Sequence, residues 1–302
     1  MQITVEDVHK TYGDVTALDG LSLEIPDGSS VGILGTNGAG KSTLFKLLVG
    51  LDRPDDGSLT VGGRSIADAG RSIREHVGYL PERVGFPGAL TGREVLEFDA
   101  QMRGLPRDDR IADTIELVGL TESAADRPVD GYSNGMRRRL GLGVAILSDP
   151  GVLILDEPTA GLDPRGVREF HGIVERVRSE TGATVVLASH VLSEVERVCD
   201  RVAVLHRGRL LTDGPVDALV DGEMVTVRLV PVDDADTEAI ASVGEGYGSV
   251  TISTRAVSVR CPSADVPRLF AKLGGTIEIE TTDVDRDGLE VAFHDAIEGV
   301  GA

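Results

Sequence analysis

The segment Gly35-Thr36-Asn37-Gly38-Ala39-Gly40-Lys41-Ser42 constrains this chain more than any other feature. It satisfies G-x-x-x-x-G-K-[ST] in full, a spacing whose glycines let the backbone wrap a polyphosphate so that several N–H groups point at one anion. The apolar run Val31–Gly35 leads into it, and Ser42–Val49 follows with helical spacing. Strand, glycine turn, helix is the order such a loop requires, and the helix adds the positive end of its dipole. Lys41 is placed to reach the β- and γ-phosphates, and Ser42 to ligate Mg²⁺. A chance glycine-rich turn is the bland alternative, and the flanking strand and helix argue against it.

Val152-Leu153-Ile154-Leu155-Asp156-Glu157-Pro158 is an unbroken apolar run ending in two carboxylates, and Thr184–Ala188 is a second such run ending at Ser189-His190. Runs of this kind suit parallel strands buried on both faces of a sheet. Asp156 is placed to hold Mg²⁺, directly or through water, and Glu157 to polarise an attacking water as general base. Alone, the two carboxylates would read as an acidic turn capping the next helix. In one chain with the glycine loop, they read as a nucleotide-hydrolysing site.

Tyr132-Ser133-Asn134-Gly135-Met136 precedes the basic run Arg137-Arg138-Arg139. By itself Ser-Asn-Gly before a helix is an N-cap and turn. In this order of motifs it resembles the signature of ABC ATPases, usually Leu-Ser-Gly-Gly-Gln, with Ser133 and Gly135 in matching places and Tyr132, Asn134 and Met136 departing. The resemblance implies that Ser133, Asn134, Gly135 and Met136 contact the γ-phosphate bound to an opposite subunit. It implies a nucleotide site of Tyr12, Gly35, Asn37, Gly38, Ala39, Gly40, Lys41, Ser42 and Thr43, with Tyr12 stacking on adenine; a packing tyrosine at a strand edge is the alternative for Tyr12. Asp163, in Ala160-Gly161-Leu162-Asp163, matches the carboxylate of the dimer-contact loop. His190 matches the switch histidine that holds the γ-phosphate and aligns Glu157. One departure concerns the implied metal set of Ser42, Asp156 and Glu82: Glu82, after Val77-Gly78-Tyr79-Leu80-Pro81, stands where the family usually has glutamine. Its carboxylate can still reach Mg²⁺ or the lytic water, but it adds negative charge near the polyphosphate.

The likeness covers about residues 1–218. It implies an α/β fold: a P-loop NTPase core of ABC ATPase type with an antiparallel β-subdomain and a helical subdomain at about 83–135. Alternation at Ile3, Val5, Leu21, Leu23 and Ile25 fits the first of these. In the helical part, Leu96, Phe98, Met102, Ile111, Ile115 and Val118 are the expected inner faces. Val202–Leu205 and Arg209–Leu211 read as further strands. Beyond about residue 220, short alternating strands are expected at Met224–Leu229, Ser249–Ser253, Ala256–Arg260, Thr276–Glu280 and Leu289–Phe293, with a helix at Ala264–Leu273. Residues 222–302 therefore read as a small C-terminal α+β domain.

Composition narrows the partners. Against 30 basic residues stand 50 acidic ones, for a net charge of −20. That field repels phosphate backbones and disfavours nucleic acid. Only four of the basic residues are lysines, a balance resembling proteins of salt-accumulating halophiles, where abundant cations screen the self-repulsion. Cys199 and Cys261 are far apart and lack metal-ligand spacing, which fits a reducing cytoplasm. No signal peptide is evident, and Leu140–Leu155, the most apolar stretch, falls short of the ~20 residues of a spanning helix. The resemblance implies ATP and Mg²⁺ as cofactors, an integral-membrane permease as partner, a homodimer or a heterodimer with a similar ATPase, and a cytoplasmic chain peripheral on the membrane through that permease. A soluble ABC ATPase acting on DNA ends or ribosomes is the rival, opposed by the charge and by the absence of coiled-coil insertions. A nucleotide-sensing module is opposed by Glu157 and His190. For cargo, Leu-Pro-Glu-Arg-Val-Gly-Phe and Leu-Thr-Gly-Arg-Glu-Val-Leu, between Gly78 and Phe98, resemble the copper-processing ATPases of nitrous-oxide reductase maturation and, less closely, drug and sodium exporter ATPases.

Overall fold

The computed structural model describes residues 1–106, 110–219, 224–253, 256–274 and 277–286, together with Leu289, Phe293 and Ile297. The chain divides into two compact units, Met1–Gly214 and Pro215–Ala302. The first opens with β1 (Ile3–Tyr12), β2 (Val15–Ile25), β3 (Ser30–Leu34), α1 (Lys41–Leu48), β4 (Asp56–Val61), β5 (Arg64–Ser65), α2 (Ile66–Ala69) and β6 (Val77–Leu80). Four helices follow: α3 (Gly92–Arg103), α4 (Arg110–Leu117), α5 (Glu122–Ala125) and α6 (Asn134–Ile146). Then come β7 (Val152–Asp156), α7 (Pro164–Thr181), β8 (Thr184–Ala188), α8 (Leu192–Val198), β9 (Arg201–His206) and β10 (Arg209–Pro215).

Two sheets organise this unit. The order β2-β1-β4-β5 is antiparallel throughout. The second sheet runs β10-β9-β3-β8-β7-β6, with β9, β3, β8, β7 and β6 mutually parallel. Every residue of β3, β7 and β8 is buried, which is why those strands read as continuous apolar runs rather than alternating ones. Side chains of both sheets, among them Ile3, Leu21, Ile25, Ile33 and Ile154, meet those of α1 in one core.

The helical segment starts on a capping box: Thr91 Oγ1 accepts from Glu94 N at 3.1 Å while Thr91 N donates to Glu94 Oε2 at 2.8 Å. Leu96, Ile115 and Val118 are buried. Phe98 and Met102 are not the inner positions expected; they are 61% and 71% exposed. For Phe98 the reason is periodicity: α3 buries Gly92, Val95, Leu96 and Ala100, and a residue two places from Leu96 lies on the opposite side of a 3.6-residue turn. The basic run on α6 is no solvated face either. Arg137 donates to Asp130 O at 3.3 Å, Arg138 to Pro81 O at 3.0 Å, and Arg139 to Gly119 O at 2.7 Å, so one turn of helix ties down three separate segments. Arg138 is itself buried.

The second unit contains α9 (Val216–Leu219), β11 (Met224–Pro231), α10 (Thr237–Gly244), β12 (Ser249–Ser253), β13 (Ala256–Pro262), α11 (Val266–Leu273) and β14 (Ile279–Arg286). Strand order β12-β13-β11-β14 is antiparallel throughout, the split βαββαβ arrangement. Val227, Leu229, Ile240, Val259, Leu269 and Leu273 form its core. The last described strand is displaced from the expected Thr276–Glu280, because β14 pairs with β11 from Pro231↔Ile279 to Val225↔Arg286. Thr276 itself, and most of the expected strand Leu289–Phe293, lie outside the described residues. Helix α10 was not anticipated. Its two turns bury only Ile240, Ala241 and Gly244, too few apolar positions to mark a period. Cys199 and Cys261 are both buried.

Candidate functional site

Sheet order assembles the site. With β3, β8, β7 and β6 parallel and adjacent, their carboxyl ends open side by side. The glycine loop leaves β3, Ser189-His190 leaves β8, Asp156-Glu157 ends β7, and Glu82 follows β6. Ligands of parallel sheets bind at such ends. A cleft of about 560 Å³ lies there, lined by the residues from Thr36 to Thr43, by Glu82, Asp156, Glu157, Ala160 and His190, and by Val15 and Ala17.

Gly40 ends the loop at φ +107°, backbone that glycine adopts far more readily than other residues. A Cβ there would also lie 2.6 Å from Ala17 O. Helix α1 begins at the next residue, and the first amides of a helix have no partner within it. Lys41 bends over the loop, its Nζ donating to Gly35 O at 2.5 Å. Burial lowers the Lys41 pKa, and the Glu157 and Asp156 carboxylates oppose that shift.

Asp156 is buried, and Tyr79 Oη donates to its Oδ2 at 3.4 Å. Burial pushes this carboxyl above its ordinary range against the Tyr79 hydrogen bond, with Glu157 and Glu82 adding to the rise. A neighbouring cation would therefore be taken up favourably. Glu157 has φ +46°, uncommon for a side-chain-bearing residue and typical of functional turns. Its N–H donates to Ala188 O at 2.9 Å, and its Oε2 lies 2.7 Å from His190 Nδ1. His190 is largely exposed while Glu157 is not, at 70% and 16% of their side chains, so the pair faces the cleft from its wall. Ser42, Asp156 and Glu82 offer the hydroxyl and carboxylate oxygens that suit Mg²⁺. Among the described residues no three His, Cys, Asp or Glu side chains form a preorganised metal cluster; Mg²⁺ in nucleotide sites draws on phosphates and water as well.

The other residues singled out by the sequence lie elsewhere. Tyr12 ends β1 with its ring 41% exposed and its hydroxyl donating to Asp52 Oδ2 at 2.5 Å. Ser133 caps α6, its Oγ accepting from Met136 N at 3.2 Å. Asn134 Nδ2 donates to Ala160 O and Gly161 O at 3.2 and 2.9 Å, joining the signature to the 160–163 loop. Met136 Sδ accepts from Arg127 at 3.6 Å. Asp163 caps α7, accepting from Gly166 N at 2.7 Å. None of Ser133, Asn134, Gly135, Met136 and Asp163 lines the cleft. Tyr132, in place of the usual leucine, is buried, and its hydroxyl donates to Ala124 O at 2.7 Å. Sequence reasoning missed Tyr79, whose signal was only its place on the strand paired with β7.

The ABC transporter family model matches residues 18–160. The linearmycin resistance ATP-binding protein of Bacillus subtilis is 38% identical over 215 residues, covering 70% of this chain and 68% of that protein. The Nod factor export ATP-binding protein I of Sinorhizobium fredii is 36% identical over 278 residues, covering 90% and 79%. A solved ATP-binding subunit of an ABC transporter superposes with a TM-score of 0.66 at 28% identity, over 72% of this chain and 92% of that one. The chain belongs to the ATP-hydrolysing, ATP-binding subunits of ABC transporters.

Proposed function

We propose that this subunit drives export through a separate membrane-embedded permease, pairing head to tail with a second copy or a similar ATPase. One observation carries the pairing. The cleft of this chain is lined by the phosphate loop, Asp156, Glu157 and His190, whereas Ser133 to Met136, at the start of α6, do not line it. A site that uses both sets takes its signature from another chain, and a two-fold pair completes two such sites at once. The names of the relatives, linearmycin resistance and Nod factor export, support the export direction.

In this reading the loop amides and Lys41 hold the phosphates and Tyr12 stacks on the base. Glu157 polarises the attacking water, and His190 holds Glu157 and the γ-phosphate in line. Ser42, Asp156 and Glu82 would hold Mg²⁺, which when bound would supply charge stabilisation for the phosphoryl transfer. Catalysis is positioning plus electrostatics at an in-line transfer to water. No described helix is long and apolar enough to cross a membrane, so membrane attachment is assigned to the permease. Residues 1–218 act as the cassette and 222–302 as an accessory domain.

The test is a pull-down of tagged Glu157→Gln protein with ATP from detergent-solubilised native membranes. A multi-span membrane protein should co-purify, and a copper-related permease is one identity to look for. Recovery of soluble, ribosomal or DNA-associated proteins alone would overturn the transport reading.

A further inference from the structure

A second carboxylate, unused by the chemistry above, lies behind the Glu157–His190 pair. Glu194 sits four residues beyond His190, in the first turn of α8, and is 6% exposed. Its Oε2 accepts from Thr159 Oγ1 at 2.5 Å and from Ser189 Oγ at 3.1 Å. Both donors are buried. Ser189 Oγ in turn accepts from Val191 N at 3.0 Å, which closes the turn carrying His190. His171, on the buried face of α7, brings Nε2 to 4.0 Å from the same Glu194 oxygen. Burial lowers the His171 pKa, and Glu194 opposes that shift.

A buried carboxylate held by hydroxyls is expensive, and an apolar side chain of similar volume would serve stability as well or better. The placement of its two donors points to a different use. Thr159 lies two residues after Glu157, on the loop leaving β7, and Ser189 is the backbone neighbour of His190, on the loop leaving β8. Near the Glu157–His190 contact, Glu157 N also donates to Ala188 O, at the end of β8.

We propose that Glu194 is a positioning residue for ATP hydrolysis, clamping the β7 and β8 loops so that Glu157 and His190 keep their alignment. The inference rests on the reading of Glu157 and His190 as base and switch. Its test is a cycle of wild type, Glu194→Ala, His190→Ala and the double variant, with turnover and ATP affinity measured for each. Glu194→Ala should lose about 10- to 100-fold in kcat, as a small misplacement of catalytic groups does, with ATP affinity within about twofold. Glu194→Gln, which keeps an acceptor for Thr159, should recover most of that loss. In the His190→Ala background Glu194→Ala should cost less than about twofold more, since the two act as one unit. Equal losses in both backgrounds would mark a merely structural role and overturn the proposal alone. Near-wild-type turnover in His190→Ala would remove the switch reading, and the proposal with it. Should Glu194→Ala fail to fold, isosteric Thr159→Val decides the matter: a several-fold kcat loss supports the clamp, and wild-type kcat overturns it.

Discussion

Glu157 and Asp156 are adjacent carboxylates with different surroundings, and that difference supports the separate roles proposed for them. Asp156 ends a buried strand under Tyr79, while Glu157 turns through a left-handed backbone to meet His190. Both were legible in the sequence as a pair at the end of an apolar run. The Glu194 clamp was not, because hydroxyl–carboxylate contacts between two loops leave no spacing pattern. Tyr12 illustrates a third case: its aromatic character was readable, but its bond to Asp52 was not. That bond gives a pH prediction. The Tyr12 hydroxyl first, and the Arg53 amide next, hold the Asp52 carboxyl down to about 2 from an ordinary 3.8. A depressed carboxyl contributes stability that is present above its unfolded pKa and lost as pH falls through its folded one. The stability difference between wild type and Asp52→Asn, followed by urea unfolding, should therefore hold above about pH 4 and shrink toward pH 2. A difference that is constant through that window would contradict the assignment.

At the scale of elements, strands buried on both faces were the readable ones. β7 and β8 coincide with the expected Val152–Asp156 and Thr184–Ala188 runs. Short elements whose packing is decided by distant partners escaped, as α10 did, and so did the polar β14, whose place is set by its register on β11. The error at Phe98 and Met102 has the same origin: several phases of one apolar pattern fit a helix, and tertiary packing selects among them. α3 offers a direct test of local stabilisation. Thr91→Ala removes the side-chain half of its capping box and should destabilise the chain by about 1 kcal/mol, measured by chemical unfolding. β6 and α6 offer a second. A Cβ on Gly78 would lie 2.3 Å from Ala145 O, so Gly78→Ala should cost about 1–3 kcal/mol through forced separation of strand and helix. An unchanged unfolding midpoint in either variant would contradict the corresponding contact.

For the whole molecule, the net charge of −20 predicts strong salt dependence. Raising salt from about 0.1 to 1 M shortens the screening length from about 10 to 3 Å, so the melting temperature should rise over that range. A falling or flat curve would show that self-repulsion does not dominate the electrostatics of the folded chain. The fold class was readable because motif order fixes which strand carries which loop; the pairing of two chains came only from the likeness to a family and remains a proposal. Everything proposed for the site depends on Glu157 as the base of ATP hydrolysis. The measurement is ATP binding and single-turnover hydrolysis by Glu157→Gln beside wild type. ATP affinity should be retained, with hydrolysis slowed by about 100-fold or more. Hydrolysis at the wild-type rate would contradict that role.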